Sequence, residues 1–538
     1  MPVRREFDAV VIGAGFSGLY MLHRLREMGL AVRVYEAADG VGGTWYWNRY
    51  PGARCDSESH YYCFSFSKEL LQEWTWTERY PAQPEVLKYL NFVADKLDLR
   101  RDIQFRTRVT QAIFDEAAQR WQIATDRGDQ ATAQYLITGV GCLSAPNLPS
   151  FKGLDRFQGE WYHTGRWPHE TVDFTGKRVG LIGTGATGIQ VVPEVAPAAE
   201  HLYVFQRSPN FAIPGRNRPL SLAEMEQIRA CYDEIWAKAR YSFGGYPMDF
   251  APHGAMELSP EERQRAFEAA WAKGGFYFLF NAANDLLVNK ASNDAAAEFI
   301  RNHIRKAVRD PKVAELLCPY DHPFATKRPP LEHGYFEAFN RENVTLVDVR
   351  NAPIEEITPT GIKTRDAEYE LDVIIFATGF DAITGSLLKI DIRGRGGVTL
   401  QQKWAEGPRT YLGITTAGFP NLFMITGPQS PSVLTNMPMA IEQHVEWIAA
   451  CIQELRSRGA VSIEATPEAE QRWVYHANEV ASRTLYPQAD SWYVGANIPG
   501  KPRMVMPCTG GLGPYRKICD EVAAKGYEGF AVVQGAAD

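Results

Sequence analysis

Val10-Val11-Ile12-Gly13-Ala14-Gly15-Phe16-Ser17-Gly18-Leu19 is the stretch that decides the fold. An apolar run, glycines spaced G-x-G-x-x-G and then a helical period predict a buried strand over 7–12, a tight turn and a helix over 16–28. A second strand over 31–35 completes a βαβ unit. Gly13 permits the turn, Gly15 lets the backbone approach a pyrophosphate, and Gly18 lets helix and strand pack closely. The free N–H groups at the helix start then face the negative charge. Glu36 ends the second strand about 20 residues further on, where a carboxylate accepts hydrogen bonds from ribose hydroxyls.

The unit recurs at Gly183-Thr184-Gly185-Ala186-Thr187-Gly188, between strand signals at 177–182 and 201–205 and with a helix from about 186. Here Arg207 stands where the first unit has its acid. A guanidinium pairs with a 2′-phosphate that a carboxylate would repel, so this site is expected to take NADP rather than NAD. Two dinucleotides in one chain imply hydride transfer between them. The fold class expected is therefore α/β, with two Rossmann-like dinucleotide-binding domains and a helical insertion.

Pro146 and Pro149 mark a crossing linker over 144–151. A helical pattern occupies 220–317, clearest at 261–273 and 295–309. Strand character returns at 344–349 and at 373–376, the latter running into Ala377-Thr378-Gly379. Ile441, Val445, Ile448, Ile452 and Leu455 form a core-facing helical stripe that Gly459 stops. The resulting division is 1–145 and 380–538 for the first nucleotide domain, 146–219 and 326–379 for the second, and 220–325 for the insertion.

At 538 residues the chain exceeds what one core can serve. Its apolar fraction of 45% and charged fraction of 22% are those of a globular protein. A net charge of -7 argues against a nucleic-acid partner. The eight cysteines include no C-x-x-C pair, so they read as buried free thiols, with no disulfide frame and no metal site. The apolar start over 10–22 is broken by the glycines and lacks a cleavage pattern. No uncharged run reaches the roughly 18 residues of a membrane span, so no membrane partner and a cytoplasmic location are expected.

The loop Gly42-Gly43-Thr44-Trp45-Tyr46-Trp47-Asn48-Arg49-Tyr50-Pro51-Gly52-Ala53-Arg54-Cys55-Asp56 gathers aromatics and glycines suited to wall a flat ring. Together with Phe157-x-Gly159-x-x-x-His163-x-x-x-Trp167-Pro168, it resembles the type I Baeyer-Villiger monooxygenases, and the resemblance extends over nearly the whole chain. It implies an enzyme carrying FAD and using NADPH and O2 to turn apolar ketones, aromatic or cyclic, into esters or lactones through a flavin C4a-peroxide, with sulfoxidation as a side activity. By position it implies a flavin pocket lined by Ser17, Glu36, Thr44, Trp45, Asp56, Tyr62 and Met437. NADP would be held by Thr184, Ala186, Thr187, Gln190, Arg207, Lys327 and Trp492. Arg328 matches the active-site arginine, with Asp56 orienting it, and His163 and Trp167 belong to a domain-coupling linker. The segment 430–437 matches a substrate-lining loop. Pro329-Pro330 departs from the family pattern and puts the aim of Arg328 in question.

Three rival readings are set against this one. An amine- or sulfur-oxidising flavin monooxygenase has a related fingerprint without the Trp-Pro ending. A pyridine-nucleotide disulfide reductase needs a cysteine pair that Cys55 and Cys63 are wrongly spaced to supply. A non-catalytic NADP-sensing flavoprotein would not consume more NADPH when a ketone is added.

Overall fold

The computed structural model describes residues 5–535. The first glycine motif lies in a turn between strand Arg5–Ile12 and helix Phe16–Glu27, and Val32–Tyr35 follows as the parallel neighbour of the first strand. All four residues at the end of that first strand are buried, as the apolar run requires. On its other side lies Gln130–Thr138, also parallel. From there an antiparallel meander runs back through Arg120–Thr125 and Val109–Asp115. Three more strands complete this eight-stranded sheet: Ile103–Gln104 lies beside Val32–Tyr35, Asp391–Arg393 joins the opposite edge, and Leu422–Met424 pairs with Gln130–Thr138. Helix Met437–Ser457 packs against Phe16–Glu27. The stripe Ile441, Val445, Ile448, Ile452 and Leu455 is buried, and Gly459 leaves the helix with φ +67°.

A second sheet has five strands, all parallel, in the order Val344–Asp348, His201–Gln206, Arg178–Ile182, Val373–Phe376, Glu160–His163. Parallel strands need crossovers, and helix Ala186–Val195, which starts within the second glycine motif, supplies the one between Arg178–Ile182 and His201–Gln206. Between the halves of this sheet the chain forms six helices over 222–317, among them Pro260–Lys273, capped by Ser259, and Lys290–Ala307, capped by Asn289. The periodic segment 261–273 falls within the first, and 295–309 overruns the end of the second by two residues.

Some elements carried no signal that the sequence reading used. An antiparallel three-stranded ribbon spans Ile354–Thr358, Gly361–Thr364 and Glu368–Glu370. Ala460–Ala465 pairs with Phe530–Gln534, two segments that meet only through the tertiary fold. One expectation is corrected: seven cysteines are buried free thiols, but Cys231 is exposed, because it caps the junction of two surface helices, Leu222–Ala230 and Tyr232–Tyr241.

Candidate active site

One cavity of about 830 Å³ runs between the eight-stranded and the five-stranded sheet, walled by loops that leave the C-terminal ends of their strands. Gly139 to Ser144 follow Gln130–Thr138, Gly183 to Thr187 follow Arg178–Ile182, Arg207 to Asn210 follow His201–Gln206, and Ala377 to Phe380 follow Val373–Phe376. This is where open α/β sheets bind ligands, because backbone N–H groups and helix N-termini converge there. Of the residues proposed from sequence, the cavity is lined by Gly15, Ser17, Thr44, Trp45, Asp56, Tyr62, Met437, Gly183, Thr184, Gly185, Ala186, Thr187, Gln190, Arg207, Lys327, Arg328 and Trp492. Gly13, Gly18, Glu36 and Gly188 lie behind the lining.

The glycines show why the turns take no other residue. A Cβ on Gly18 would stand 1.8 Å from the Gly13 carbonyl oxygen, and one on Gly188 would stand 2.2 Å from that of Gly183. Gly13, at φ +100°, has the Gly139 oxygen 2.6 Å from where its Cβ would be. Gly185 differs, since nothing lies within 4 Å of its missing side chain. That open space at the start of helix Ala186–Val195 suits a pyrophosphate. The cavity therefore passes the test for two dinucleotides: close-packed glycine turns, two helix starts facing inward, and cationic Arg207 and Lys327 at one end.

Two assigned residues use their polar atoms within the protein. Glu36, buried at the end of Val32–Tyr35, accepts from the backbone N–H of Ala14 and of Ala38, each at 2.7 Å, and so ties the first glycine turn to the strand that follows it. Burial pushes its carboxyl up against these two opposing bonds. Gln190 accepts from the Tyr50 hydroxyl at 2.8 Å and donates to the Arg54 carbonyl at 3.0 Å. Its amide thus joins the second nucleotide unit to the aromatic loop of the first. Gly52, at φ +80°, lies against the same helix, with the Gln190 carbonyl oxygen 2.3 Å from where a Cβ would be. Trp45 donates to the Tyr62 hydroxyl at 3.2 Å, and Thr44 opens the short helix Thr44–Trp47. Met437 is the first residue of helix Met437–Ser457, with Ile441 one turn further on the same wall.

Arg328 and Asp56 meet inside the cavity. Arg328 Nε donates to Asp56 Oδ2 at 3.3 Å, and Nη1 donates to the Val433 carbonyl at 3.1 Å. The guanidinium lies 5.3 Å from the centre of the Phe276 ring. The side chains are 27% and 11% exposed, which sets this pair apart from a surface ion pair. Burial pushes the Asp56 carboxyl up, with Arg328 and the Leu331 N–H pulling the other way. Burial alone would lower Arg328, but Asp56 and the phenols of Tyr246 and Tyr493 outweigh it and leave the guanidinium firmly charged.

Pro329-Pro330 is accommodated without loss. The two prolines run into strand Leu331–Glu332, which pairs with Ile213–Pro214, and Pro330 contributes a carbonyl that accepts from Ile213 N–H at 3.1 Å. The first N–H after them, that of Leu331, donates to Asp56 Oδ1 at 3.3 Å. Asp56 therefore grips the chain on both sides of the stiff dipeptide. Asn210 adds a bond from Nδ2 to the Arg328 carbonyl at 3.1 Å. Asn210, Phe276 and Val433 were not singled out as partners of Arg328 from sequence. Phe276 sits in the helical insertion with no motif around it, and the only hint of Asn210 is its place just after Arg207.

In the linker, His163 Nδ1 accepts from Gly165 N–H at 3.0 Å, which leaves the proton on Nε2 to be donated to the Asn147 carbonyl at 3.2 Å. Burial lowers its pKa and keeps the ring neutral. Asn147 lines the cavity and Trp167 is buried against Tyr162 and Phe174. Trp492 reaches the cavity from the short turn Trp492–Val494. Among the described residues no group of three or more His, Cys, Asp or Glu is placed to hold a metal ion, and no helix is long and apolar enough to cross a membrane.

Two nucleotide folds facing one cavity, with a charged arginine buried among apolar walls, define a flavin-dependent monooxygenase. Residues 8–217 match the flavin-binding monooxygenase-like family. A Baeyer-Villiger monooxygenase of Pseudooceanicola batsensis is 51% identical over 528 residues, covering 98% of this chain and 96% of the relative. An oxidised steroid monooxygenase bound to NADP superposes with a TM-score of 0.95 at 53% identity, covering 98% of this chain and 100% of the other. The structure of OTEMO in complex with FAD and NADP gives a TM-score of 0.95 at 44% identity, covering 98% and 99%. The chain belongs to the type I Baeyer-Villiger monooxygenases, enzymes that use FAD and NADPH.

Proposed function

We propose that the chain inserts one oxygen atom of O2 beside the carbonyl of an apolar ketone, aromatic or cyclic, at the expense of NADPH, and that Arg328 and Asp56 are its catalytic pair. The observation that carries this reading is a permanently charged guanidinium at the Val433, Met437 and Ile441 wall of the cavity, fixed by a carboxylate that is itself almost fully buried. When bound, the flavin accepts hydride from the nicotinamide and activates dioxygen, chemistry that no side chain can supply.

The residues of the chain do the rest. Arg328 holds positive charge where negative charge develops on oxygen, in a site whose apolar walls strengthen the interaction. A guanidinium cannot deprotonate there, so the favoured partner stays anionic. Asp56 holds Nε and leaves the far end of the fork free to turn between the Val433 carbonyl and a bound ligand. Val433, Met437, Ile441 and Phe276 exclude water and favour an apolar substrate. Ser17, Thr44, Trp45, Tyr62 and Met437 are the residues proposed to hold FAD, and Thr184, Ala186, Thr187, Arg207, Lys327 and Trp492 those proposed to hold NADP. Glu36 and Gln190 act through the backbone and loop they fix.

Coupled assays test the proposal: a panel of aryl, cyclic and linear ketones, with NADPH loss and ester or lactone yield measured together. Ester formed in proportion to NADPH consumed supports it. NADPH consumption that no ketone accelerates, with all reducing equivalents appearing as hydrogen peroxide, rejects it.

A further inference from the structure

The loop that brings the Val433 carbonyl to Arg328 is held in a conformation that its side chains disfavour. It follows strand Leu422–Met424, and over 426–432 it places three non-glycine residues in the left-handed region: Thr426 at φ +55°, Gln429 at φ +65° and Ser432 at φ +41°. All three are buried, Gln429 completely. Strain of this kind persists only where the surroundings over-determine it, and it collects at functional sites.

Gln429 is fixed from three separate segments. Its N–H donates to the Met506 carbonyl at 2.6 Å, and its carbonyl accepts from Nε1 of Trp473, on helix Pro467–Ser482, at 3.2 Å. Side-chain Oε1 accepts from Thr410 N–H at 3.0 Å and from Thr410 Oγ1 at 2.8 Å, and the same hydroxyl lies 3.0 Å from the Pro428 carbonyl oxygen. Nε2 is buried with no hydrogen-bond partner among the described residues. Glycine would adopt this backbone without strain and would bury no unpaired N–H. The glutamine is therefore unfavourable on two counts, and what its side chain adds is the clamp to Thr410.

Beyond Gln429 the chain has little freedom before it reaches Val433. The Ser430 carbonyl accepts from Cys508 N–H at 2.9 Å, Pro431 has its φ of −58° set by its ring, and Ser432 Oγ lies 3.0 Å from Cys142 Sγ. Val433 is the middle residue of the turn Ser432–Leu434. The carbonyls of Pro431 and Ser432 accept from the N–H groups of Leu434 and Thr435, each at 3.0 Å, whereas the Val433 carbonyl accepts from Arg328 Nη1. Thr426, Val433 and Thr435 line the cavity, and Gln429 stands behind them.

We infer that Gln429 is a positioning residue for Arg328: clamped to Thr410, it fixes the Val433 carbonyl that holds Nη1, and so sets where the guanidinium points. This rests on the reading of Arg328 as the catalytic cation.

The test uses the flavin-loaded enzyme with the ketone of the panel above that wild type converts fastest, and measures ester and hydrogen peroxide formed per NADPH consumed. That partition is a ratio, so a smaller folded fraction does not move it. Gln429→Gly keeps the left-handed backbone and removes the clamp, and its ester-to-peroxide ratio is expected to fall about tenfold, the scale of a sub-ångström misplacement of a reacting group. Thr410→Val keeps the shape and loses only the hydroxyl, so the ratio should fall about threefold. Thr410→Ser, which restores the hydroxyl, should recover it. Titration of NADP+ into Gln429→Gly should give the wild-type affinity, because the bond to Met506 is a backbone one that glycine retains. A wild-type partition in both Gln429→Gly and Thr410→Val would overturn the inference, as would Thr410→Ser no better than Thr410→Val. NADP+ affinity falling by the same factor as ester yield would assign Gln429 a general bracing role and overturn it too. Arg328→Ala separates the two readings: ester formation retained there removes the catalytic arginine and this inference together, whereas ester lost there but retained in Gln429→Gly removes this inference alone.

Discussion

Arg328→Ala removes two hydrogen bonds and a stacked guanidinium, and it leaves Asp56 almost fully buried with only the Leu331 N–H as a partner. Removing one member of a fully buried ion pair costs about 3 to 5 kcal/mol. With Arg328 about a quarter exposed, the expected loss of stability is nearer about 2 to 3 kcal/mol. The double variant Asp56→Ala/Arg328→Ala leaves no unpaired charge, so it should recover much of that loss. Catalysis should respond differently. Losing the one fixed charge that faces the developing oxyanion should reduce ester formation by a factor of about 100 to 1,000. The double variant should recover none of this, because no charge has returned. Denaturant melts give the first quantity, and gas chromatography of the ester against NADPH loss gives the second. Ester formation at the wild-type rate in Arg328→Ala would refute the catalytic assignment. A double variant as unstable as the single one would refute the account of Asp56 as a buried charge held by Arg328.

Glu442, buried against the Ser65 N–H and hydroxyl, is pushed by burial from 4.5 to about 7. Between those values the folded chain keeps a proton that the unfolded chain has released, so the contribution of this group to stability should fall by up to about 3 kcal/mol as pH rises through this window. The difference between the denaturant midpoints of wild type and Glu442→Gln should therefore move against the wild type from pH 5 to pH 8. Burial lowers His444 to about 3, and its Nδ1 accepts from Thr426 N–H. Its contribution has the opposite sign, because the unfolded chain binds a proton below about 6.5 that the folded chain refuses. In Glu442→Gln, stability should therefore rise with pH between about 4 and 6.5. Gly52→Ala must move the Gln190 carbonyl, which would stand 2.3 Å from the new Cβ, and adopt φ +80°. A loss of about 2 kcal/mol or more is expected, together with weaker NADP+ binding in titration. Gly18→Ala places a methyl 1.8 Å from the Gly13 oxygen, and the purified protein should lack the visible absorbance of bound flavin.

Legibility from sequence followed the range of the interactions. The two nucleotide units were readable because each is local: strand, glycine turn and helix lie within about 30 residues, and the steric limits on Gly18 and Gly188 are set by Gly13 and Gly183, five residues earlier in each turn. The stripe from Ile441 to Leu455 was readable for the same reason, since helical period and burial are properties of one segment. The sequence by itself therefore determined two α/β nucleotide folds, the helical insertion between them, and the charge that distinguishes Arg207 from Glu36. Tertiary structure alone decided what depends on distant segments meeting. Examples are the grip of Asp56 on both sides of Pro329-Pro330, the seat of Arg328 between Val433 and Phe276, the use of the Gln190 amide to join two domains, and the gathering of Arg350 and Asp321 around Arg207. These contacts span from 29 to 275 residues of chain, and no local preference encodes them, because only the closure of both sheets around one cavity brings the partners within reach.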